Sequence, residues 1–130
     1  MIVLDASVVV ELLTGGPLAD SLRHDLAARD DSFIVPHLLD VEVIGAIRSL
    51  VAGQRIDSHA TGQLLTGLAA FPAERYPHTP LLGRVWELRH NFTPYDAVYI
   101  ALAEATNSIL YTSDAKLCRG HRAQVALFTH

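Results

Sequence analysis

Cysteine is nearly absent from this chain, and its scarcity removes several classes of site. Cys118 is the only cysteine among the 130 residues, so an intrachain disulfide and a zinc framework built on cysteines are both excluded. The seven histidines include no pair at the spacing of a helical metal-binding motif. We therefore interpret Cys118 as a packing or surface residue and the histidines as scattered.

Long apolar runs and basic runs are also missing. No segment approaches the roughly 18 apolar residues of a membrane-spanning helix. The amino terminus lacks a basic leader and carries Asp5 and Glu11 inside its apolar run, which is not the pattern of a signal peptide. We therefore expect a cytoplasmic location. Because no basic run or row of aromatic residues is present, any binding to nucleic acid should be modest and directed to a pocket.

Acidic residues exceed basic ones, which at first argues against a nucleic-acid partner. The chain has 14 acids, 10 bases and a formal net charge of −4. When four candidate ligand acids are set aside, ten acids remain against ten bases. The excess of negative charge is therefore equal to the charge of that one site. All bases except Lys116 are arginines, which suit bidentate phosphate contacts. Candidates for the rim of such a site are Arg48, Arg55, Arg84, Arg89, Lys116, Arg119 and Arg122.

Short strand patterns alternate with helical patterns along the chain. With half of its residues hydrophobic, the chain is expected to form one globular domain, residues 1–130. The patterns predict strands at 2–5, 32–35, 73–77, 109–112 and 125–128, and helices near 7–13, 18–29, 37–52, 57–70, 80–90 and 94–106. This alternation predicts a three-layer α/β/α sandwich with a mainly parallel sheet.

Four carboxylates are expected to meet at one edge of that sheet. Asp5 and Asp114 follow strands, and the helices that carry Glu42 and Asp96 can bring those acids to the same edge, where ligands bind in open α/β sheets. Two carboxylates ~4 Å apart repel by about 4 kcal/mol at an effective dielectric near 20, so a shared pocket needs protons or cations. Oxygen ligands favour Mg²⁺ first and Mn²⁺ second. Such a site can hydrolyse phosphodiesters.

Helix capping is the alternative explanation for three of these acids. Asp5 and Asp114 each precede a helical pattern and could accept backbone N–H bonds there. Thr93 is a candidate N-cap, with Pro94 at the first helical position and Asp96 at the third. Capping explains each acid singly, but it does not explain a meeting of all of them.

Glu42 differs, because it lies inside an apolar helical segment. Leu38, Gly45 and Ala46 share its side of the helix, and no Lys or Arg stands three or four positions after it. Asp40 lies roughly 200° away around the helix and faces nearly the opposite direction. A buried carboxylate needs a partner, so Glu42 requires either a metal or another part of the fold.

The order of four motifs carries a resemblance over essentially the whole chain. The motifs are D-x-S at Asp5–Ser7, P-x-x-x-x-x-E at Pro36–Glu42, T-x-Y-D-A-x-Y-x-A-L-A at Thr93–Ala103 and T-x-D at Thr112–Asp114. Together they resemble the PIN domain, and more narrowly the VapC toxins of toxin–antitoxin pairs.

That resemblance implies a metal-dependent endoribonuclease with a PIN-like fold. The implied catalytic and metal-binding residues are Asp5, Glu42, Asp96 and Asp114, with Ser7 and Thr112 assisting around the pocket. The implied cofactor is Mg²⁺, with Mn²⁺ as a substitute. The implied partners are an RNA substrate, a cognate VapB-type antitoxin and a second copy of the chain.

Two other functions compete with this interpretation. A receiver-like signalling domain has a similar length, an acidic pocket and a late lysine such as Lys116, but it usually carries adjacent acids after the first strand and a D-x-x-M-P segment. This chain has neither. A catalytically inactive PIN-like binding module is the second alternative. The complete acid set argues against it, because binding alone does not require four mutually repelling charges.

Overall fold

Five short strands form one parallel sheet at the centre of the protein. The computed structural model describes residues 1–129, so the predicted domain 1–130 includes one residue, His130, that lies outside the described part. The strand order is β3-β2-β1-β4-β5, and every neighbouring pair is parallel. The strands are β1 (Ile2–Leu4), β2 (Phe33–Pro36), β3 (Ala73–Tyr76), β4 (Ile109–Thr112) and β5 (Val125–Leu127).

Six helices flank the sheet, and the predicted α/β fold is confirmed. The helices are α1 (Ala6–Thr14), α2 (Ala19–Arg29), α3 (Leu38–Ala52), α4 (Thr61–Ala69), α5 (Leu82–Glu87) and α6 (Pro94–Thr106). Two of them are shorter than predicted. The expected helix at 57–70 begins with a separate 3₁₀ turn at Ser58–Ala60, and that at 80–90 follows a 3₁₀ turn at Thr79–Leu81. Apolar spacing does not distinguish such tight turns from α-helix.

The core lies where α6 crosses the central strands. Ile2, Val3 and Leu4 of β1 are fully buried, as expected for a parallel strand covered on both faces. In α6 the seven consecutive residues Ala97–Ala103 are all buried. A helix that is apolar on every side belongs in the interior, so α6 presents its polar side chains only towards its ends. Asp96 lies at one end and Glu104 near the other.

Helix α3 is fixed at its start by a partly buried ion pair. The Arg75 guanidinium binds Asp40 at 3.0 Å and also donates to the carbonyl oxygens of Leu68, Phe71 and Ala73. These bonds join the beginning of α3 to the end of α4 and to β3. Asp40 therefore serves the fold, while Glu42, on the other side of α3, faces the crevice described below.

None of the helices in residues 1–129 combines the length and the apolar character needed to cross a membrane.

Candidate active site

Asp5 occupies the point where the strand order reverses. Strands β2 and β3 lie on one side of β1, and β4 and β5 lie on the other. In such sheets the crevice at the carboxyl ends of the two central strands is the usual ligand site. Asp5 follows β1 directly, donates its backbone N–H to Tyr111 of β4 at 3.1 Å, and is only 6% exposed. Its carboxylate therefore lies at the base of this crevice.

Three hydrogen bonds hold the Asp5 carboxylate. Oδ1 accepts from the Ser7 hydroxyl at 2.5 Å and from the Val8 N–H at 3.1 Å, and Oδ2 accepts from the Thr112 hydroxyl at 2.5 Å. The bond from Val8 makes Asp5 the N-cap of α1, so the capping interpretation is correct. A carboxylate has about four lone-pair sites, and these bonds leave one on Oδ2 for a further ligand.

Ser7 and Thr112 also connect Asp5 to the segment that carries Asp114. The Ser7 hydroxyl accepts from the Ser113 N–H at 3.1 Å, and the Thr112 hydroxyl accepts from the Asp114 N–H at 3.0 Å. Asp114 itself accepts from the Lys116 N–H at 2.9 Å and caps a 3₁₀ turn. Each of the two hydroxyl groups thus donates to Asp5 and accepts from a backbone N–H of the loop after β4, so that it orients the carboxylate and fixes the loop at the same time.

Glu42 finds its partner in a different helix. The buried Tyr99 hydroxyl donates to Glu42 Oε1 at 2.6 Å, and burial together with this bond raises the pKa of Tyr99 well above its usual range. The sequence did not decide whether Glu42 is paired with a metal or with another part of the fold. In the structure, the Tyr99 hydroxyl is one partner of Glu42. Tyr99 was not singled out from the sequence. Its position three residues after Asp96, on the same face of a helix, was the available signal.

Asp96 lies at the capped start of α6. The Thr93 side chain accepts from the Asp96 N–H at 3.2 Å, and Pro94 occupies the first turn, as predicted. Burial raises the pKa of Asp96, and the charge of Asp114 raises it further, while Lys116 opposes the shift. Lys116 is therefore close enough to Asp96 for its charge to act there.

Asp5, Glu42 and Asp96 form one electrostatic unit. Burial is the main cause that raises the pKa of Asp5, and the charge of Asp96 adds to it against the three hydrogen bonds. Burial also raises the pKa of Glu42, with Asp96 and Asp5 adding to the shift against the bond from Tyr99. Asp114 joins the group through its effect on Asp96. The charges of these carboxyl groups therefore oppose one another's ionisation.

Within residues 1–129, no three acidic, histidine or cysteine side chains are arranged closely enough to hold a metal ion among them. Mg²⁺ does not require such a cage, since it is commonly held by one or two carboxylates and otherwise by water and substrate phosphates. A hard divalent cation suits this site chemically, because the available ligands are carboxylate oxygens that repel one another and Asp5 has one lone pair free. Direct ligation by all four acids stays a prediction.

Two of the predicted rim cations lie elsewhere. Arg84 binds Glu104 at 2.7 Å and Arg122 approaches the same carboxylate at 3.6 Å. The bond from Arg84 lowers the pKa of Glu104 to about 2. Glu104 is eight residues after Asp96, or about 12 Å along α6. These arginines therefore stabilise the far end of that helix instead of flanking the acids.

A cavity of about 510 Å³ opens beside the acids, between α1 and α3. Ser7, Glu42 and Ser113 lie on its acid-site side, and its remaining walls are mainly apolar, formed by Ala6, Val10, Ala46 and Leu50 with Glu11 and Ser49. The site is therefore a crevice with room for an extended ligand.

The chain matches the PIN domain family over residues 2–122. It is 38% identical to Ribonuclease VapC12 of Mycobacterium tuberculosis over 129 residues, 98% of both chains. It is 42% identical to Ribonuclease VapC1 of the same organism over 117 residues, 88% of this chain and 86% of the relative. A toxin–antitoxin complex from Klebsiella pneumoniae contains a chain of the same fold, with a TM-score of 0.70, 18% identity and complete coverage of both chains.

Neutralising Asp96 should stabilise the protein when no divalent cation is present. Because the folded-state pKa values of Asp5, Glu42 and Asp96 are raised, the folded state binds protons more tightly than the unfolded state. Their contribution to the free energy of unfolding therefore falls as pH rises from about 4 through the raised values. We expect Asp96→Asn to melt at a higher temperature than wild type at pH 7 in chelator, and to lose less stability between pH 5 and pH 7.

Scanning calorimetry at the two pH values measures both effects. Asp20→Asn is the control, because that side chain is fully exposed on α2 and its replacement should change little. A variant Asp96→Asn that melts no higher than wild type, with an unchanged pH dependence, would show that the acids do not repel each other.

Proposed function

This chain belongs to the PIN-domain family and, within it, to the VapC ribonucleases; on that basis we propose that it is a metal-dependent endoribonuclease. It acts as the toxin of a VapBC-type toxin–antitoxin pair and hydrolyses phosphodiester bonds in structured RNA. The observation that carries the proposal is the group of mutually repelling carboxyls around Asp5 in the crevice between β1 and β4. A cytoplasmic location remains a prediction.

Each acid has a distinct part in the proposed reaction. Asp5, fixed by three hydrogen bonds, and Asp96, fixed at the start of α6, would hold Mg²⁺ or Mn²⁺. When bound, the cation would polarise the phosphate, lower the pKa of the attacking water and offset charge on the leaving oxygen. Glu42 has one oxygen engaged by Tyr99, and its other oxygen positions the water. Asp114 completes the acid set, and the products carry 5′-phosphate and 3′-hydroxyl ends.

Lys116 is the basic side chain with the clearest place at the substrate. Its charge acts on Asp96, so its ammonium group can approach a phosphate that the acids and cation bind. Of the other predicted rim arginines, Arg89 lies over the Trp86 ring. Arg48, Arg55 and Arg119 remain candidates for contacts with the RNA backbone. A receiver-like domain is not favoured, because the family match spans residues 2–122. An inactive binding module is not favoured either, because the acid repulsion serves no purpose in it.

Replacement of either metal-binding acid should abolish cleavage. Asp5→Asn and Asp96→Asn keep the side-chain shape but remove charge from the cation site, and we expect at least a hundredfold loss of activity, larger than the roughly 10- to 100-fold effect of residues that only support a ligand. Cleavage of a labelled in vitro transcript that contains loops and stems measures this in Mg²⁺, in Mn²⁺ and in chelator. Asp20→Asn should keep full activity. Full activity of Asp96→Asn, or of wild type in excess chelator, would contradict the mechanism.

An antitoxin can dock in the groove beside the acids. Ala6, Val10, Ala46 and Leu50 form most of the apolar walls of this cavity of about 510 Å³ between α1 and α3. Such a groove suits the apolar face of an amphipathic segment. Because Ser7 and Glu42 line the same groove, the antitoxin can extend an arginine to the acids, where its fork binds two carboxylate oxygens.

Inhibition by a cognate antitoxin should therefore depend on the acids and on metal. We expect its affinity to fall when Asp96 is changed to Asn and when Mg²⁺ or Mn²⁺ is raised, because its arginine competes with the cation for the same oxygens. Calorimetric titration of wild type and Asp96→Asn tests this at low and high Mg²⁺. Equal affinities that do not respond to metal would show that the antitoxin blocks the enzyme from a distance.

The chain is also proposed to form a homodimer. Half of the residues are hydrophobic, several large apolar side chains are exposed, and two-fold pairing is the most common way to cover such surface. Light scattering at micromolar concentration should give twice the 14.2 kDa chain mass. A mass that stays at the monomer value would contradict the proposal.

A further inference from the structure

Tyr95 places an uncovered aromatic ring beside the acid site. Tyr95 is 57% exposed, and it directly precedes Asp96 in the chain. In residues 1–129 no aromatic ring or guanidinium group stacks on it. The other strongly exposed aromatic, Trp86 at 67%, is covered by the Arg89 guanidinium, which lies 4.3 Å from its ring centre. Tyr95 therefore offers a free ring face at the residue next to Asp96.

The helix geometry of α6 directs Tyr95 to the opening of the site. Tyr95 and Tyr99 are four residues apart, so they share one face of the helix, and Asp96, three residues before Tyr99, flanks the same face. The Tyr99 hydroxyl contacts Glu42, which fixes that face towards the acids. Tyr95 stands four residues, about 6 Å, closer to the amino-terminal end of α6. Because helical side chains lean towards that end and the side chain is exposed, this position puts its ring on the solvent side of the acids.

The backbone under this ring is held firmly. Pro94 restricts φ in the first turn, the Thr93 side chain accepts from the Asp96 N–H at 3.2 Å, and the Thr93 carbonyl accepts from the Ala97 N–H at 2.9 Å. The following residues of α6 are buried. Only the two side-chain torsions of Tyr95 remain free, so a ligand that stacks on the ring loses little conformational entropy.

The acids and the cation can bind a phosphate but offer no face on which a base can stack. Phosphate is common to every nucleotide, so these groups alone leave the flanking bases without a stacking partner. An exposed tyrosine ring stacks on any base through its π-face, and the carboxyl groups around it disfavour a second phosphate at the same position. The chemistry of this position therefore fits a nucleobase.

We propose that Tyr95 stacks on a nucleobase next to the phosphate that is cleaved, and so contributes to RNA affinity and to the choice of cleavage position. This proposal rests on the proposed ribonuclease function. A base that stacks on a protein ring must first leave its neighbours in the RNA. Cleavage should therefore fall in loops, bulges or other unstacked segments of a structured RNA, and not inside its helices.

Three substitutions separate the ring from the rest of the side chain. Tyr95→Leu removes the aromatic face, Tyr95→Phe keeps it, and Trp86→Leu removes a different exposed ring as the matched control. On a labelled transcript with every dinucleotide step in loops and stems, Tyr95→Leu should lower kcat/KM about tenfold, mainly through KM, as expected for the loss of one stacked base. Tyr95→Phe and Trp86→Leu should stay within about twofold of wild type, within the spread of surface substitutions.

Abasic substrates locate the stacked base. Transcripts that lack one base at a time on either side of the cleaved bond should lower wild-type kcat/KM at one position. At that position Tyr95→Leu should add no further loss, because the stacking partner is already missing. Equal kcat/KM for Tyr95→Leu and wild type, or a Tyr95→Leu penalty that persists at every abasic position, would overturn the proposal.

A binding measurement keeps this test separate from the proposed function. We expect adenosine 5′-monophosphate with Mg²⁺ to shift the NMR signals of the Tyr95 ring, while ribose 5-phosphate, which lacks only the base, leaves them in place. If wild type failed to cleave RNA, the ribonuclease proposal would fail and this comparison would still decide on stacking. Identical shifts with both ligands, or none with either, would overturn the proposal. So would a Tyr95→Leu variant that loses affinity only for the antitoxin.

Discussion

The buried carboxylate of Asp5 is the constraint on which the rest of the site depends. An ionised group in the interior must be paired or hydrogen-bonded, and Asp5 receives bonds from the start of α1 and from Thr112 at the end of β4. These bonds join the first strand to its neighbour across the reversal in strand order. The requirement to satisfy one carboxylate thus also shapes the crevice in which the reaction is proposed to occur.

Helix α6 supports most of the remaining features. Its apolar middle lies in the core, and its capped first turn presents Asp96 and the exposed Tyr95, while Tyr99 reaches Glu42 of α3 from the interior. The burial of α6 therefore fixes Asp96 relative to Glu42, through Tyr99 and not through a direct bond between the two acids. Burial and the other charges disfavour their ionised forms, so the arrangement costs stability that a cation can restore.

The strands, and the positions of Asp5 and Asp114 after two of them, could be predicted because each depends on local information. A buried parallel strand is a short apolar run, and Asp5 and Asp114 simply follow such runs in the sequence. The bond between Tyr99 and Glu42 joins residues 57 positions apart, and no periodicity specifies it. For the same reason Arg84 and Arg122 were expected beside the substrate, whereas they pair with Glu104. Pairing of charged side chains is set by how the helices pack, which spacing along the chain does not reveal.

We propose that Asp5, Glu42 and Asp96 form one coupled site that a divalent cation completes. Carboxyl ¹³C NMR titration of these three side chains, in chelator and in Mg²⁺, tests this coupling. We expect pKa values above the usual acid range in chelator, lower values when Mg²⁺ is added, and a lower pKa for Asp5 and Glu42 when Asp96 is neutralised. Carboxyl groups that titrate near their ordinary values of about 4, independently of one another and of Mg²⁺, would contradict it.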